Sequence, residues 1–160
     1  MWIDDTDLTQ LAQWLRVGPR ELIEAIGGPW HTTLRAPDQE IGEPGTLLVG
    51  RAGPSVALLL AETEPRVVVG RAEGHWQGIT SLTWALTHPV GAIGIPAPDA
   101  LTADVDAFVV ALGTMVEDAF ADARGTLVIC RYCGTVVAPA LTVGDRLCSS
   151  CGSRIFNIAY

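Results

Sequence analysis

The four cysteines of this chain form two closely spaced pairs near its C-terminus, and this spacing constrains the fold more than any other feature. Cys130 and Cys133 make the first Cys-x2-Cys pair, and Cys148 and Cys151 make the second, with 14 residues between the pairs. Two residues between cysteines allow a tight turn to direct both thiolates at one ion, and four thiolates are the closed tetrahedral ligand set of a structural zinc site. The pattern therefore predicts one structural zinc ion per chain, bound by all four cysteines.

The segment between the pairs is typical of a zinc ribbon, in which a β-hairpin joins two metal-binding turns. Its residues, TVVAPALTVGDRL, combine β-forming side chains with turn signals at Pro139 and Gly144. A glycine follows each cysteine pair. We expect Gly134 and Gly152 to supply the positive φ that lets backbone N–H groups approach the sulfurs.

The C-terminal segment needs the metal because it is short. About 35 residues bury too little apolar surface to fold alone, whereas structural zinc contributes roughly 10–16 kcal/mol of apparent binding free energy in small modules. We therefore predict an α+β body at residues 1–124 and a zinc ribbon at residues 125–160, and we expect truncation at Arg124 to leave a folded body. Four apolar ribbon residues are candidates for packing onto that body instead: Ile129, Val136, Ile155 and Phe156.

Other uses of the cysteines fit the sequence less well. The N-terminus, MWIDDTD, lacks the basic and apolar regions of a signal peptide. We therefore expect a cytoplasmic protein, and a reducing compartment disfavours disulfides. A redox dithiol is usually a single Cys-x2-Cys at the start of a helix. Iron suits four thiolates as well as zinc does and stays open as the alternative metal.

The second cysteine pair also carries a resemblance to a known family. CSSCGSRIF, residues 148–156, resembles the C-terminal knuckle of the small zinc-ribbon subunit of archaeal and eukaryotic RNA polymerases, with Gly152, Arg154, Ile155 and Phe156 at matching positions. The resemblance covers about 30 of the 160 residues. It implies a ribbon fold and a connection to transcription. The chain departs from that family in its last residues, FNIAY, where the family is basic.

Two short helices are predicted at the start of the body. Apolar residues recur at helical spacing at about residues 7–16 and again at about 19–27, on either side of a Gly-Pro break. We expect Thr6 or Asp7 to cap the first helix and Pro19 to begin the second. The sequence therefore favours a helical hairpin packed on the body.

A longer helix is predicted at about residues 99–123. We expect Thr102 to cap it and Asp104 to occupy its favourable first turn. Its apolar face is formed by residues spaced three or four apart: Val105, Phe108, Val109, Leu112, Val116 and Phe120. This face should pack on the sheet.

An antiparallel sheet of about five strands is predicted within residues 32–96. GTLLVGRAG and PRVVVGRAEG lie 20 residues apart, and each reads as an apolar strand followed by a glycine-containing turn. PSVALLLAE would follow the first turn, and HWQGITSLTWAL and VGAIGIP the second. VALLLA, residues 56–61, has the length of a buried strand. The near-repeat is explained either by duplication or by chance.

The charge distribution limits the partners. All ten basic residues are arginine, which is typical of a GC-rich bacterial genome, and the net charge is −8. Residues 1–124 carry 7 arginines against 17 acidic residues, a net of −10, and residues 125–160 carry 3 arginines against one aspartate, a net of +2. Nucleic-acid binding scales with positive charge presented to phosphates. Any such contact would therefore be weak and would use Arg131, Arg146 and Arg154, and no membrane segment is expected.

Histidines and tryptophans are the other residues with functional potential. His31, His75 and His88 each lie beside an aromatic residue or a proline, and we expect them to be loop or hydrogen-bonding residues. No nucleotide-binding or metalloprotease motif accompanies them. Five tryptophans lie within the first 84 residues: Trp2, Trp14, Trp30, Trp76 and Trp84. An exposed one beside Arg51, Arg71 or His75 would mark a ligand or partner surface.

Together these features predict an α+β protein with a helical hairpin, an antiparallel sheet, a long helix on that sheet and a C-terminal zinc ribbon. The favoured function is that of a zinc-binding adaptor module that docks a protein partner. One alternative is a transcription- or translation-associated nucleic-acid-binding factor, which an exposed arginine-aromatic ribbon face would favour. The other is an enzyme with a site among Arg71 and the three histidines, which a deep pocket holding two histidines would favour.

Overall fold

Five strands arranged in chain order form the central sheet. The computed structural model describes residues 8–28, 30–36, 44–50, 55–78, 81–144 and 146–156. The sheet strands are β1 Trp30–Thr32, β2 Gly45–Gly50, β3 Val56–Ala61, β4 Arg66–Gln77 and β5 Ser81–Gly94. The helices are α1 Thr9–Leu15, α2 Pro19–Ile26, α3 Thr102–Arg124 and α4 Ser149–Phe156. The C-terminal strands are β6 Val128–Ile129, β7 Val136–Val137, β8 Thr142–Val143 and β9 Leu147–Cys148, with a 3-10 turn at Pro139–Leu141. The α+β class and the five-stranded antiparallel sheet are confirmed.

The second Gly-Arg-Ala segment is not the predicted turn. It lies inside β4, and the pairing with β5 passes from Val69–Gly91 to Arg71–Thr87, so that Gly70 faces three residues of β5. This bulge accommodates Pro89, which has no N–H to donate to the hydrogen bonds between the strands. A Cβ at Gly70 would lie 2.7 Å from the carbonyl oxygen of Thr87, so a glycine is needed for β4 and β5 to approach this closely. The predicted VGAIGIP strand is the end of β5. In the first Gly-Arg-Ala segment, Gly50 ends β2, and Arg51 and Ala52 lie outside the described residues.

The sheet closes on itself through the segment that follows β1. β1 pairs with β2, and three residues further on Arg35 forms a parallel bridge with Trp84 of β5. The Trp84 N–H donates to the Leu34 carbonyl, and the Ala36 N–H donates to the Trp84 carbonyl, both at 2.8 Å. One segment therefore contacts both edges of the sheet, which must curl to bring these edges together.

Each face of the sheet packs against a different part of the chain. All six residues of β3 are buried, as predicted for VALLLA. Because side chains alternate along a strand, one set points to each face. The first face packs against α1, α2 and α3 through residues that include Leu48, Leu58, Leu60, Val67 and Val69. The second face includes Leu47, Val49, Leu59, Val68, Trp84 and Leu86, and it packs against Leu127, Ala138, Ala140 and Leu141, which follow α3.

The helices follow the predicted hydrophobic stripes. Pro19 begins α2, as predicted. In α3, Phe108, Leu112 and Val116 are buried and Asp104 lies in the first turn, as predicted. The prediction that Thr102 caps α3 is wrong, because Leu101 is the N-cap residue and no side chain caps the helix. The predicted capping residues of α1, Thr6 and Asp7, lie outside the described residues.

Candidate metal centre

The four cysteines converge on one point. Their Sγ atoms all lie within 4.8 Å of one another, and the Cys133 and Cys148 sulfurs are 3.8 Å apart. Zinc bound tetrahedrally by sulfurs at about 2.3 Å requires sulfur–sulfur distances of about 3.8 Å. Cys130, Cys148 and Cys151 are buried, and Cys133 is exposed. The cluster therefore has the size and the ligand number of a closed, ribbon-like metal site.

The first cysteine pair lies in a tight turn between β6 and β7. The Gly134 N–H donates to the Cys130 carbonyl at 2.9 Å, and the Cys130 N–H donates to the Thr135 carbonyl at 2.8 Å. Gly134 has a φ of +78°, which confirms the prediction for this glycine. The Thr135 hydroxyl lies 3.1 Å from the Cys133 sulfur. Sequence reasoning missed this contact, although the threonine follows the pair almost directly.

The second pair lies where β9 passes into α4. The Cys151 N–H lies within the helix and points at the Cys148 sulfur, 3.5 Å away. The prediction of a positive φ at Gly152 is wrong, since this residue continues α4. Its need for glycine is steric, because a Cβ would lie 2.9 Å from the Val143 Cβ. A pair at a helix start is the arrangement expected of a redox dithiol. Here, however, the first pair shares the same site.

The protein distributes negative charge unevenly over the metal-free thiols. Backbone hydrogen bonds from Cys133 and Cys148 lower the pKa of Cys130 to about 6. The Thr135 hydroxyl also lowers the pKa of Cys133. Burial, reinforced by the neighbouring thiols, raises the pKa of Cys151 to about 12. Near neutral pH the Cys151 thiol therefore keeps its proton in the absence of a cation, and a bound dication would favour its thiolate.

Contacts outside the cysteines hold the two turns together. The Arg131 N–H donates to the Arg146 carbonyl at 2.9 Å and joins the first turn to the second. Leu147 is buried among the cysteines, and Val137 packs against them. These few side chains form a very small core. The relative position of the two turns therefore depends mainly on a metal ion that all four sulfurs would bind.

The segment between the pairs contacts the sheet. The Trp76 indole N–H donates to the Ala140 carbonyl at 2.9 Å, and a Cβ at Gly74 would lie 2.7 Å from the Ala140 Cβ. Sequence reasoning missed this junction, because it rests on small residues with no periodic pattern. Three of the four residues named as candidates for packing on the body are exposed instead: Ile129 at 63%, Val136 at 46% and Ile155 at 46%. The side chain of the fourth, Phe156, lies outside the described part of the chain. The division at residue 124 stays a prediction.

The ribbon face, defined as Ile129, Arg131, Tyr132, Val136 and Arg146, is an exposed surface around the first turn. Tyr132 is 73% exposed. Ile129 and Val136 are directly paired across β6 and β7, so that their side chains lie on the same side of the hairpin. Arg131, Arg146 and Arg154 are all exposed. An arginine-aromatic surface of the predicted kind is therefore present.

The three histidines lie on different strands, and all are exposed. A cleft of about 360 Å³ between β4 and the 3-10 turn is lined by His75 together with Arg71, Trp84 and Thr126, among other residues. His31 and His88 are not among the residues that line it. Arg71 donates to Asp122 at 2.9 Å, so its charge is balanced within the protein. The cleft lacks the two histidines expected of the predicted enzyme site.

The described tryptophans divide between core and surface. Trp30 and Trp84 are buried, whereas Trp14 is 37% exposed and Trp76 is 45% exposed. Trp76 follows His75, but its N–H is used by the junction with Ala140. Trp2 lies outside the described residues.

The function of this site is inferred from its own residues, because comparisons with known proteins identify no relative. No protein-family model, no curated protein and no solved structure matches this chain. Among the described residues, the four cysteines are the cluster of side chains suited to holding a metal ion. No described helix combines the length and apolar character needed to cross a membrane.

Proposed function

We propose that this chain is a zinc-binding adaptor of the cytoplasm, in which one zinc ion per chain holds a docking surface for a partner protein. The observation that carries the proposal is the convergence of Cys130, Cys133, Cys148 and Cys151 to within 4.8 Å. Four protein ligands leave no open coordination position for a substrate or a water molecule. The metal therefore has a structural role.

The ribbon face supplies the surface to which a protein could bind. Tyrosine and arginine are enriched among the residues that dominate binding energy at protein interfaces, and exposed aliphatic side chains add apolar area. Ile129, Tyr132 and Val136 provide these groups next to Arg131 and Arg146. Ile129 and Val136 lie on strands of two residues each, and Tyr132 lies in the turn between those strands. The metal, rather than a hydrophobic core, therefore keeps them in place.

Metal analysis tests the zinc centre. Purified protein should contain one zinc per chain, and replacement of any one cysteine by serine should remove it and unfold the C-terminal segment. Ser149→Ala is the matched control, because Ser149 lies exposed between Cys148 and Cys151. Iron in place of zinc would identify the alternative metal. A fully folded protein without metal would refute the structural role.

Partner capture tests the docking role. Affinity purification from the native cell should recover a protein that is lost in the Tyr132→Ala variant, while zinc content stays at one per chain. Glu64→Gln, an exposed change in the turn between β3 and β4, should retain it. Recovery of the same partner by the Tyr132→Ala variant would exclude the ribbon face as the interface.

A nucleic-acid-binding factor is the second candidate function. Arg131, Tyr132 and Arg146 are exposed together on the ribbon face, and the resemblance of CSSCGSRIF to a polymerase zinc ribbon points the same way. Three phosphate contacts imply a salt slope of only about −0.9 per contact on duplex DNA. We expect no mobility shift with random DNA at micromolar protein in ~0.15 M salt. A steep, salt-dependent shift that disappears on replacing Arg131, Arg146 and Arg154 by alanine would establish this alternative instead.

A further inference from the structure

A second surface with the opposite charge lies on the other side of the sheet. Two adjoining cavities of about 220 and 440 Å³ run between α2 and α3 and share Val109 and Val110 in their lining. These helices cover the first face of the sheet, whereas the C-terminal segment covers the second. The α2–α3 groove, defined by these two cavities, is therefore separated from the ribbon face by the sheet.

The floor of the groove is apolar and accessible. Val110 is 69% exposed and does not belong to the stripe through which α3 packs on the sheet. Ala25, which is exposed, and Val109, which is half-buried, extend the apolar lining, whereas Leu22 is fully buried below it. Beneath them the helices touch at Gly113, where a Cβ would lie 2.8 Å from the Ala25 carbonyl oxygen. This close crossing makes the two helices one continuous surface.

The rim of the groove is acidic. The charged residues that line the two cavities are Glu21, Asp106, Glu117 and Asp118. None of the described residues in either lining is basic. From Asp106 to Asp118 the rim extends along α3 for about 18 Å at 1.5 Å per residue. A docked helix of about three turns has the same length.

We infer that the α2–α3 groove binds a basic amphipathic helix of a partner protein. Such helices place apolar side chains at i, i+3, i+4 and i+7 in a hydrophobic groove, where Val110 would meet them. Lysines or arginines beside that stripe would lie against the acidic rim. Charge selects this occupant, because phosphates and anionic membrane surfaces are repelled by a body whose residues 1–124 carry a net −10. The groove is independent of the metal centre.

Peptide binding to the full-length, metal-loaded protein tests this inference. The probe is a synthetic 14-residue helical peptide with leucines at the interface positions and lysines flanking them. A matched peptide carries glutamates in place of the lysines. Fluorescence anisotropy should show saturable binding of the basic peptide only, with affinity that falls as salt rises. No saturable binding of the basic peptide at ~1 mM would overturn the inference.

Variants separate binding in the groove from general attraction to an acidic protein. Asp106→Asn with Asp118→Asn should weaken binding by roughly five- to tenfold, and Val110→Ser should weaken it to a similar degree. The control, Glu62→Gln with Glu64→Gln, makes the same change of charge in the exposed turn after β3 and should alter binding less than twofold. Equal weakening by the control would refute a specific groove.

Two further outcomes distinguish this surface from others. Tyr132→Ala should leave peptide binding unchanged, because the ribbon face lies across the sheet, so failure of the adaptor proposal would not affect this result. Sedimentation velocity should show a monomer at micromolar concentration. Self-association that Val110→Ser abolishes would identify a second copy of the chain as the occupant and overturn the proposal of a basic helix.

Discussion

Replacing Leu59 by alanine should destabilise the protein and loosen its metal centre at the same time. Leu59 is 1% exposed and belongs to the cluster on the second face of the sheet, which also contains Ala138. Removal of a buried leucine side chain typically costs about 2–5 kcal/mol. For a chain of 160 residues, each kcal/mol lowers Tm by roughly 2–4 °C, so we expect a decrease of about 4–20 °C.

The neighbouring residue provides a matched control. Leu58 is 0% exposed on the same strand but packs with the helices on the first face. Leu58→Ala should therefore lower Tm by a similar amount without disturbing the packing between the second face of the sheet and the segment that lies between the cysteine pairs. At a temperature where both variants are folded, Leu59→Ala should lose zinc to a chelator faster than Leu58→Ala. The assay follows metal release with a colorimetric zinc indicator, alongside thermal unfolding by circular dichroism.

Equal rates of zinc release from the two variants would refute this reasoning. That result would mean that the segment covering the second face is not mechanically linked to the metal centre. A decrease in Tm below about 2 °C for Leu59→Ala alone would mean that the second face is not packed as a core.

Three further predictions concern the metal centre and its attachment. Gly134→Ala should cost about 1–2 kcal/mol, because the φ of this residue is +78°, and should lower zinc occupancy, whereas Gly125→Ala, at a φ of −68° with open space around it, should not; elemental analysis of both variants decides. Zinc affinity should increase with pH, by at least about tenfold per unit near neutrality, because the Cys151 thiol, with a pKa of about 12, must lose its proton to bind. Competition titrations in which affinity does not change with pH would contradict this. In contrast to the expectation from the sequence, truncation after Arg124 should produce an aggregating fragment, since it removes Leu127, Ala138 and the other residues that cover the second face. A fragment that is monomeric by size-exclusion chromatography and melts cooperatively would support an independent body.

Local patterns in the sequence were sufficient to predict α1, α2, α3 and the cysteine cluster. The prediction that one hairpin joins the two cysteine pairs is wrong, because β6 pairs with β7 and β8 pairs with β9, and the helix α4 at the second pair was not predicted. The stripe from Val105 to Phe120 identified α3, and the spacing of the cysteines alone indicated that four sulfurs would meet. Both depend on residues close together in the chain, whose relative positions follow from helix or turn geometry.

Features that depend on contacts between distant strands were not predictable in the same way. A glycine within an apolar run suits a turn and a bulge equally well, and only the pairing of β4 with β5 decides that Gly70 forms a bulge. The bridge between Arg35 and Trp84 has no pattern in the sequence at all. The same holds for the cover of the second face, where Ala138 and Ala140 contribute through close approach rather than through a hydrophobic stripe.

The position of these small residues gives the cysteines a wider role than holding their own turns. Of the residues that cover the second face, Leu127 lies between α3 and the first cysteine pair, whereas Ala138, Ala140 and Leu141 lie between the two pairs. Structural zinc contributes roughly 10–16 kcal/mol in small modules, which is comparable to the total stability of about 5–15 kcal/mol of an ordinary domain. If zinc is the bound ion, its removal would loosen the chain on both sides of residues 138–141 and expose Leu47, Leu59 and Leu86 to water. The metal would then control access to half of the core of the body, which explains why a chain with no other cysteine places four of them beside this segment.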